Sequence, residues 1–82
     1  MNQTVNTSLR VQCPKILMRI NALRIIGDIT ALQAENIATL IKESLKSQCT
    51  SKLINSLESI RWQVSEKQII DEAIRLVKGE NV

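Results

Sequence analysis

The sequence predicts a small, mainly α-helical domain. It holds four short helices, over about 15–26, 31–47, 51–61 and 66–78, preceded by a β-strand over about 5–13 that pairs across a dimer. Three observations lead there. Apolar residues recur at three- and four-residue spacing through most of the chain. Helix start and stop signals stand at the ends of those stretches. One stretch near the amino end alternates with period two instead. With 82 residues the chain is read as a single domain. A chain of that size buries only about 60–65% of the surface it exposes when unfolded, so a homodimer is expected.

The strand rests on Val5, Thr7, Leu9, Val11 and Cys13, which alternate with Asn6, Ser8, Arg10 and Gln12. No other segment alternates in this way, so its pairing partner would be the same strand of a second copy. Pro14 is expected to open the first helix, at the position where its missing amide goes unused. Eight of the next twelve residues are apolar: Ile16, Leu17, Met18, Ile20, Ala22, Leu23, Ile25 and Ile26. They wrap most of the cylinder, so the helix is either the centre of a bundle or partly a dimer interface. Gly27 and Asp28 end it.

Thr30-Ala31-Leu32-Gln33 is a capping box, the Thr30 hydroxyl and the Gln33 amide each serving the other's backbone N–H. Ala34, Ile37, Ala38, Ile41 and Leu45 then form one stripe, widened by Leu40. Cys49-Thr50-Ser51 is a polar break, and Leu53, Ile54, Leu57 and Ile60 carry the third helix. A second capping box is read at Ser65 and Gln68, with Val64 and Ile69 as the hydrophobic staple. Ile69, Ile70, Ala73, Ile74 and Val77 share a face, Asp71 and Arg75 pair across the other, and Gly79 stops the helix. The short connections make neighbouring helices antiparallel or angled.

Composition excludes several functions. Trp62 is the only aromatic residue, which removes the stacking platforms that single-stranded nucleic acids need. Histidine is absent, so imidazole bases, triads and His-containing zinc sites are ruled out. The carboxylates Glu35, Glu43, Glu58, Asp71 and Glu72 read as solvated helix surface, and no enzyme and no cofactor is expected. Cys13 and Cys49 lack the close pairing of a metal site and read as free thiols in a reducing, cytoplasmic setting. No apolar run approaches the ~20 residues of a membrane span, so no membrane partner is expected. The acid-free first 27 residues share the composition of an organellar transit peptide, but they also carry structural patterns. The net charge of +3 is uneven: Arg10, Lys15, Arg19 and Arg24 give residues 1–27 a charge of +4, leaving −1 for the rest. A polyanion is thus the natural partner for the amino-terminal third.

A strand with alternating polar side chains, then a helix, a turn and a second helix resembles the ribbon-helix-helix DNA-binding proteins, over residues 5 to about 47. Ser8-Leu9-Arg10-Val11 with Pro14 following, and Ile37, Ile41 and Leu45 in the second helix, carry the resemblance. It implies a dimer whose paired strands enter the major groove of double-stranded DNA. Ser8, Arg10 and Gln12 would face base edges, and Lys15 would add a cation. Thr30 would meet a phosphate at the amino end of the second helix. The chain departs from the family in the two residues, Gln12 and Cys13, inserted before the proline, and in residues 48–82, a helical hairpin with no counterpart in the minimal fold. The expectation is a dimeric DNA-binding transcriptional regulator, a repressor by analogy. A helix-turn-helix over residues 30–60, presenting Ser51, Lys52, Asn55 and Ser56, is a second route to DNA. The rival is a helical protein-interaction module, such as an antitoxin, immunity protein, anti-activator or adaptor, with residues 48–82 available to a protein partner.

Overall fold

The structure, a computed structural model, describes residues 5–80, with side chains from Leu9 onward. Four helices follow one another: α1 (Val5–Ile25), α2 (Ala31–Ser47), α3 (Ser51–Ile60) and α4 (Lys67–Val77). They close a ring in which α1 packs on α2 and α4, α2 on α3, and α3 on α4. One core fills the ring. It takes Leu9, Ile16, Ile20 and Leu23 from α1, Ile37 and Ile41 from α2, Leu53, Leu57 and Ile60 from α3, and Ile70, Ala73, Leu76 and Val77 from α4. Ile29 and Val64 plug it from the two turns at one end.

The strand expected over 5–13 is helix. The same residues support both periods, because Leu9 and Cys13 belong to the alternating set and also to a helical one. Leu9, Gln12, Ile16, Ile20 and Leu23 recur at three- and four-residue steps and all are buried. Extending a helix that already exists adds one hydrogen bond per residue. A lone strand would leave its backbone groups without partners. Pro14 therefore stands inside α1 rather than at its start, where it leaves the Arg10 carbonyl without its usual N–H donor.

Local signals mark most of the other ends. Gly27, at φ 87°, ends α1 in a Schellman turn: Asp28 N–H bonds the Leu23 carbonyl at 2.9 Å and Gly27 N–H the Arg24 carbonyl at 3.1 Å. The Thr30–Gln33 capping box forms as expected, with both bonds present at 2.9 and 3.0 Å. Gln48 ends α2 in the left-handed region, at φ 58°. Gly79 ends α4 with a second Schellman turn.

The start of α4 differs from expectation. Ser65 makes no capping box with Gln68; instead the Asp28 carboxylate reaches across from the α1–α2 turn. It accepts from the Ser65 N–H at 3.0 Å, the Ser65 hydroxyl at 2.7 Å and the Glu66 N–H at 3.0 Å. A negative charge at a helix amino end suits the helix dipole as well as the free amides. Asp71 likewise pairs with Arg61 rather than Arg75, by two bonds of 2.6 and 3.2 Å, and Arg75 turns to Glu80 at 3.0 Å.

Candidate interaction surface

A helix in a four-membered ring meets two neighbours and keeps one side open. On α1 that open side is apolar. Val11, Met18 and Ile25 are 69%, 68% and 68% exposed. At seven-residue intervals they stack in one line, opposite the buried Leu9–Leu23 face. Pro14 is exposed on the same line and Ala22 lies half-buried beside it. Arg10, Leu17 and Arg24 flank the line on one side and Lys15 on the other, all exposed. Between Val5 and Gly27 there is no acidic residue.

Hydrogen bonding separates these cations from the structural one. Arg19 Nε bonds Glu72 Oε1 on α4 at 2.9 Å, and Arg19 Nη1 bonds the Lys15 carbonyl at 3.2 Å. It thus clamps α1 to α4. Arg24 is braced within its own helix, donating twice to Asn21 Oδ1 at 3.2 and 2.8 Å; Glu35 of α2 lines the same groove, but among the described residues Arg24 forms no ion pair. Among the described residues, neither Arg10 nor Lys15 has a carboxylate within salt-bridge reach.

The apolar line runs toward the end of the bundle where both turns lie. Ile26, Leu32 and Trp62 are all exposed there, Trp62 at 82%. The two turns are fastened to each other. Gln33 and Gln63 exchange side-chain amide bonds at 3.1 and 3.0 Å, and Gln63 also donates to the Asp28 carbonyl at 3.2 Å. At the Asp28 carboxylate, the Glu66 amide first and the Ser65 hydroxyl next hold the carboxyl below its ordinary value. The apolar end is therefore presented on a braced platform.

No known family model matches the chain, and neither do the curated proteins or the solved structures.

Of the residues expected to touch DNA, the structure brings together only two. Arg10 and Lys15 border the same apolar line. Gln12 does not join them, because two residues along a helix turn it by about 200°. It is only 7% exposed, and its Oε1 finds no hydrogen-bond partner. A buried acceptor on the core side of α1 cannot read a base edge. The Ser8 side chain lies outside the described ones. Thr30 stands at the far end of the molecule from Arg10, its hydroxyl committed to Gln33.

The alternative route through α2 and α3 has a three-residue connection, Gln48 to Thr50. Ser51, Lys52 and Asn55 are exposed on α3 and Ser56 is half-buried. Its cations are few: Lys52 stands alone on the helix and Arg61 is bound to Asp71. Cys49 is exposed just before α3, with its thiol held below the usual value by the Ser51 amide and hydroxyl.

Sequence reasoning missed the outer line of α1. It set Val11 in the alternating strand and left Met18 and Ile25 within an undivided apolar helix. The seven-residue spacing of 11, 18 and 25 was the available signal, and it becomes visible only once residues 5–25 are read as one helix.

Proposed function

We propose that this chain is a helical protein-interaction module whose working surface is the outer face of α1. The observation that carries this reading is the line of Val11, Met18 and Ile25, each about two-thirds exposed, set between Arg10, Arg24 and Lys15. Large apolar side chains in a contiguous exposed patch mark a surface that is covered in use. Duplex DNA is the competing ligand for a basic face. Its phosphates would engage the cations but offer nothing to the side chains between them, whereas a protein interface buries an apolar centre within a polar rim. Residues 48–82 support the surface from behind: α4 packs along the inner side of α1 and holds it through Arg19 and Glu72. This moves the partner's site from the C-terminal hairpin to the amino-terminal helix.

The test replaces Met18 with a benzophenone photo-crosslinking residue in the full chain, in cells that make it, with Glu58 on α3 as the control position. The expected result is a discrete protein adduct at Met18 that is absent at Glu58 and lost when Val11→Asp and Ile25→Asp accompany the probe. No position-specific adduct, or one removed by nuclease, would overturn the proposal. The nuclease-sensitive outcome would return the basic segment to nucleic acid.

A further inference from the structure

Resting on the interaction surface proposed above, we infer that the occupant of the α1 outer face is an acidic amphipathic helix. It lies along residues 10–25 as a fifth helix of the bundle. Two properties of the face choose it.

The first is shape. Val11, Met18 and Ile25 are spaced by seven, with Pro14 and Asn21 at the intermediate three-residue step. That is a seam of period 3.5, one side chain wide, which suits knobs from a single facing helix. An interfacial helix lying on lipid needs a broad apolar sector along its own length; the exposed Leu32 and Trp62 lie off α1, at the turn end of the bundle. On α1 cations close in on both sides of the line. From Val11 to Ile25 the seam is about 21 Å long, matching a partner helix of roughly 15 residues.

The second is charge. In heptad terms the positions that flank the seam are Arg10, Leu17 and Arg24 on one side and Lys15 and Ala22 on the other. These are the positions whose charges select a coiled-coil partner. A second copy of this chain fails in both orientations. Side by side in parallel, Arg10 would face the partner's Lys15. Antiparallel, Arg10 would face the partner's Arg24. Like charges across an interface disfavour the pairing, and no acidic residue of α1 relieves them. A helix with Glu or Asp at its own flanking positions meets cations at three places without any rearrangement of α1. Arg24 is already held in place by Asn21.

The experiment uses the full chain and two designed helical peptides of about 18 residues, long enough to span the seam. Both carry leucine at the seam positions. One has glutamate at the flanking positions and the other lysine. Fluorescein anisotropy reads binding at about 50 and about 300 mM salt, which brackets a strong change in screening. The acidic peptide is expected to bind at least about tenfold more tightly than the basic one, with the preference shrinking at high salt. Met18→Glu should remove binding, with an unchanged far-UV circular dichroism spectrum because Met18 is exposed. The triple variant Arg10→Glu, Lys15→Glu, Arg24→Glu should reverse the preference.

Equal binding of both peptides, still lost in Met18→Glu, would overturn the acidic partner and leave the interaction surface standing. Binding of neither peptide would also overturn it, and the crosslink at Met18 then decides the surface separately. Preferential, Met18-dependent binding of phosphatidylserine vesicles or of a short DNA duplex would overturn the inference in favour of that ligand. A chain that forms a Met18-dependent dimer in sedimentation would overturn it in favour of a second copy.

Discussion

Replacing Pro14 with alanine tests the most consequential feature of the fold, the continuity of α1 through residues 5–25. Pro14 is the tenth residue of this helix. It lacks the N–H that would bond the Arg10 carbonyl, and its ring crowds that carbonyl. In a helix interior proline is about 3 kcal/mol less favourable than alanine. Arg10 and Pro14 both sit on the exposed side, so water can reach the freed carbonyl, and removing the ring takes no contact from the core. These two facts place the expected stabilisation at about 2–3 kcal/mol, slightly below the full propensity difference. In a domain of this size each kcal/mol moves Tm by about 4–8 °C, so the rise should be roughly 8–24 °C. Urea and thermal unfolding followed by far-UV circular dichroism measure it, and an unchanged urea slope shows that the same surface is being exposed. Were residues 5–13 a strand or a tail, Pro14 would be the first residue of a shorter helix. Alanine brings no such gain there. A Tm that stays put or falls would refute the continuous helix, and with it the outer seam.

Three other outcomes follow from particular side chains. Gln12→Met keeps the length of the side chain and removes the orphaned Oε1, so it should stabilise by about 1 kcal/mol; a loss in urea unfolding would mean that the oxygen has a partner. Asp28 has a lowered carboxyl value in the folded state, so its contribution is present above its unfolded value near 3.8 and disappears as pH falls through the folded value. Asp28→Asn should therefore lower Tm at neutral pH and flatten its decline below pH ~4, and an identical pH profile in both proteins would remove the cap. Cys49 is exposed with its thiol favoured toward thiolate, whereas Cys13 is half-buried against the core. Iodoacetamide on the native chain should label Cys49 first, read by peptide mass spectrometry, and equal rates would contradict the local bonding at Ser51.

The parts of the fold legible in the sequence are those whose bonds close within a few residues. Thr30 and Gln33 are three apart, and the helix they open was expected over 31–47 and spans Ala31–Ser47. Gly27 and Gly79 stop helices by a conformation that glycine adopts without strain. What escaped depends on distant partners. The Ser65 cap was a sound local reading, but the carboxylate of Asp28, 37 residues away, takes that place. The Asp71–Arg75 pair met the same fate, because Arg61 approaches Asp71 from the α3–α4 turn. Residues 5–13 were misread for a different reason: two periods coincide at Leu9 and Cys13, and only the packing of Leu9 and Gln12 into the core decides between them.

The candidate surface was half legible. An α1 apolar on most of its circumference already implied more contacts than one neighbour supplies, and the positive excess of the amino-terminal third already implied an anionic partner. Neither signal said that the two lie on one strip. Joining them needs the ring arrangement, which fills the Leu9–Leu23 side and leaves the Val11–Ile25 side open. That arrangement also gives the cations a role before any partner arrives. An exposed apolar line invites self-association. Arg10, Lys15 and Arg24 stand where two copies of α1 would have to meet, so in the proposed reading their repulsion opposes self-pairing and favours a helix of opposite charge. In the proposed reading, the charge that first suggested DNA selects one helix over another.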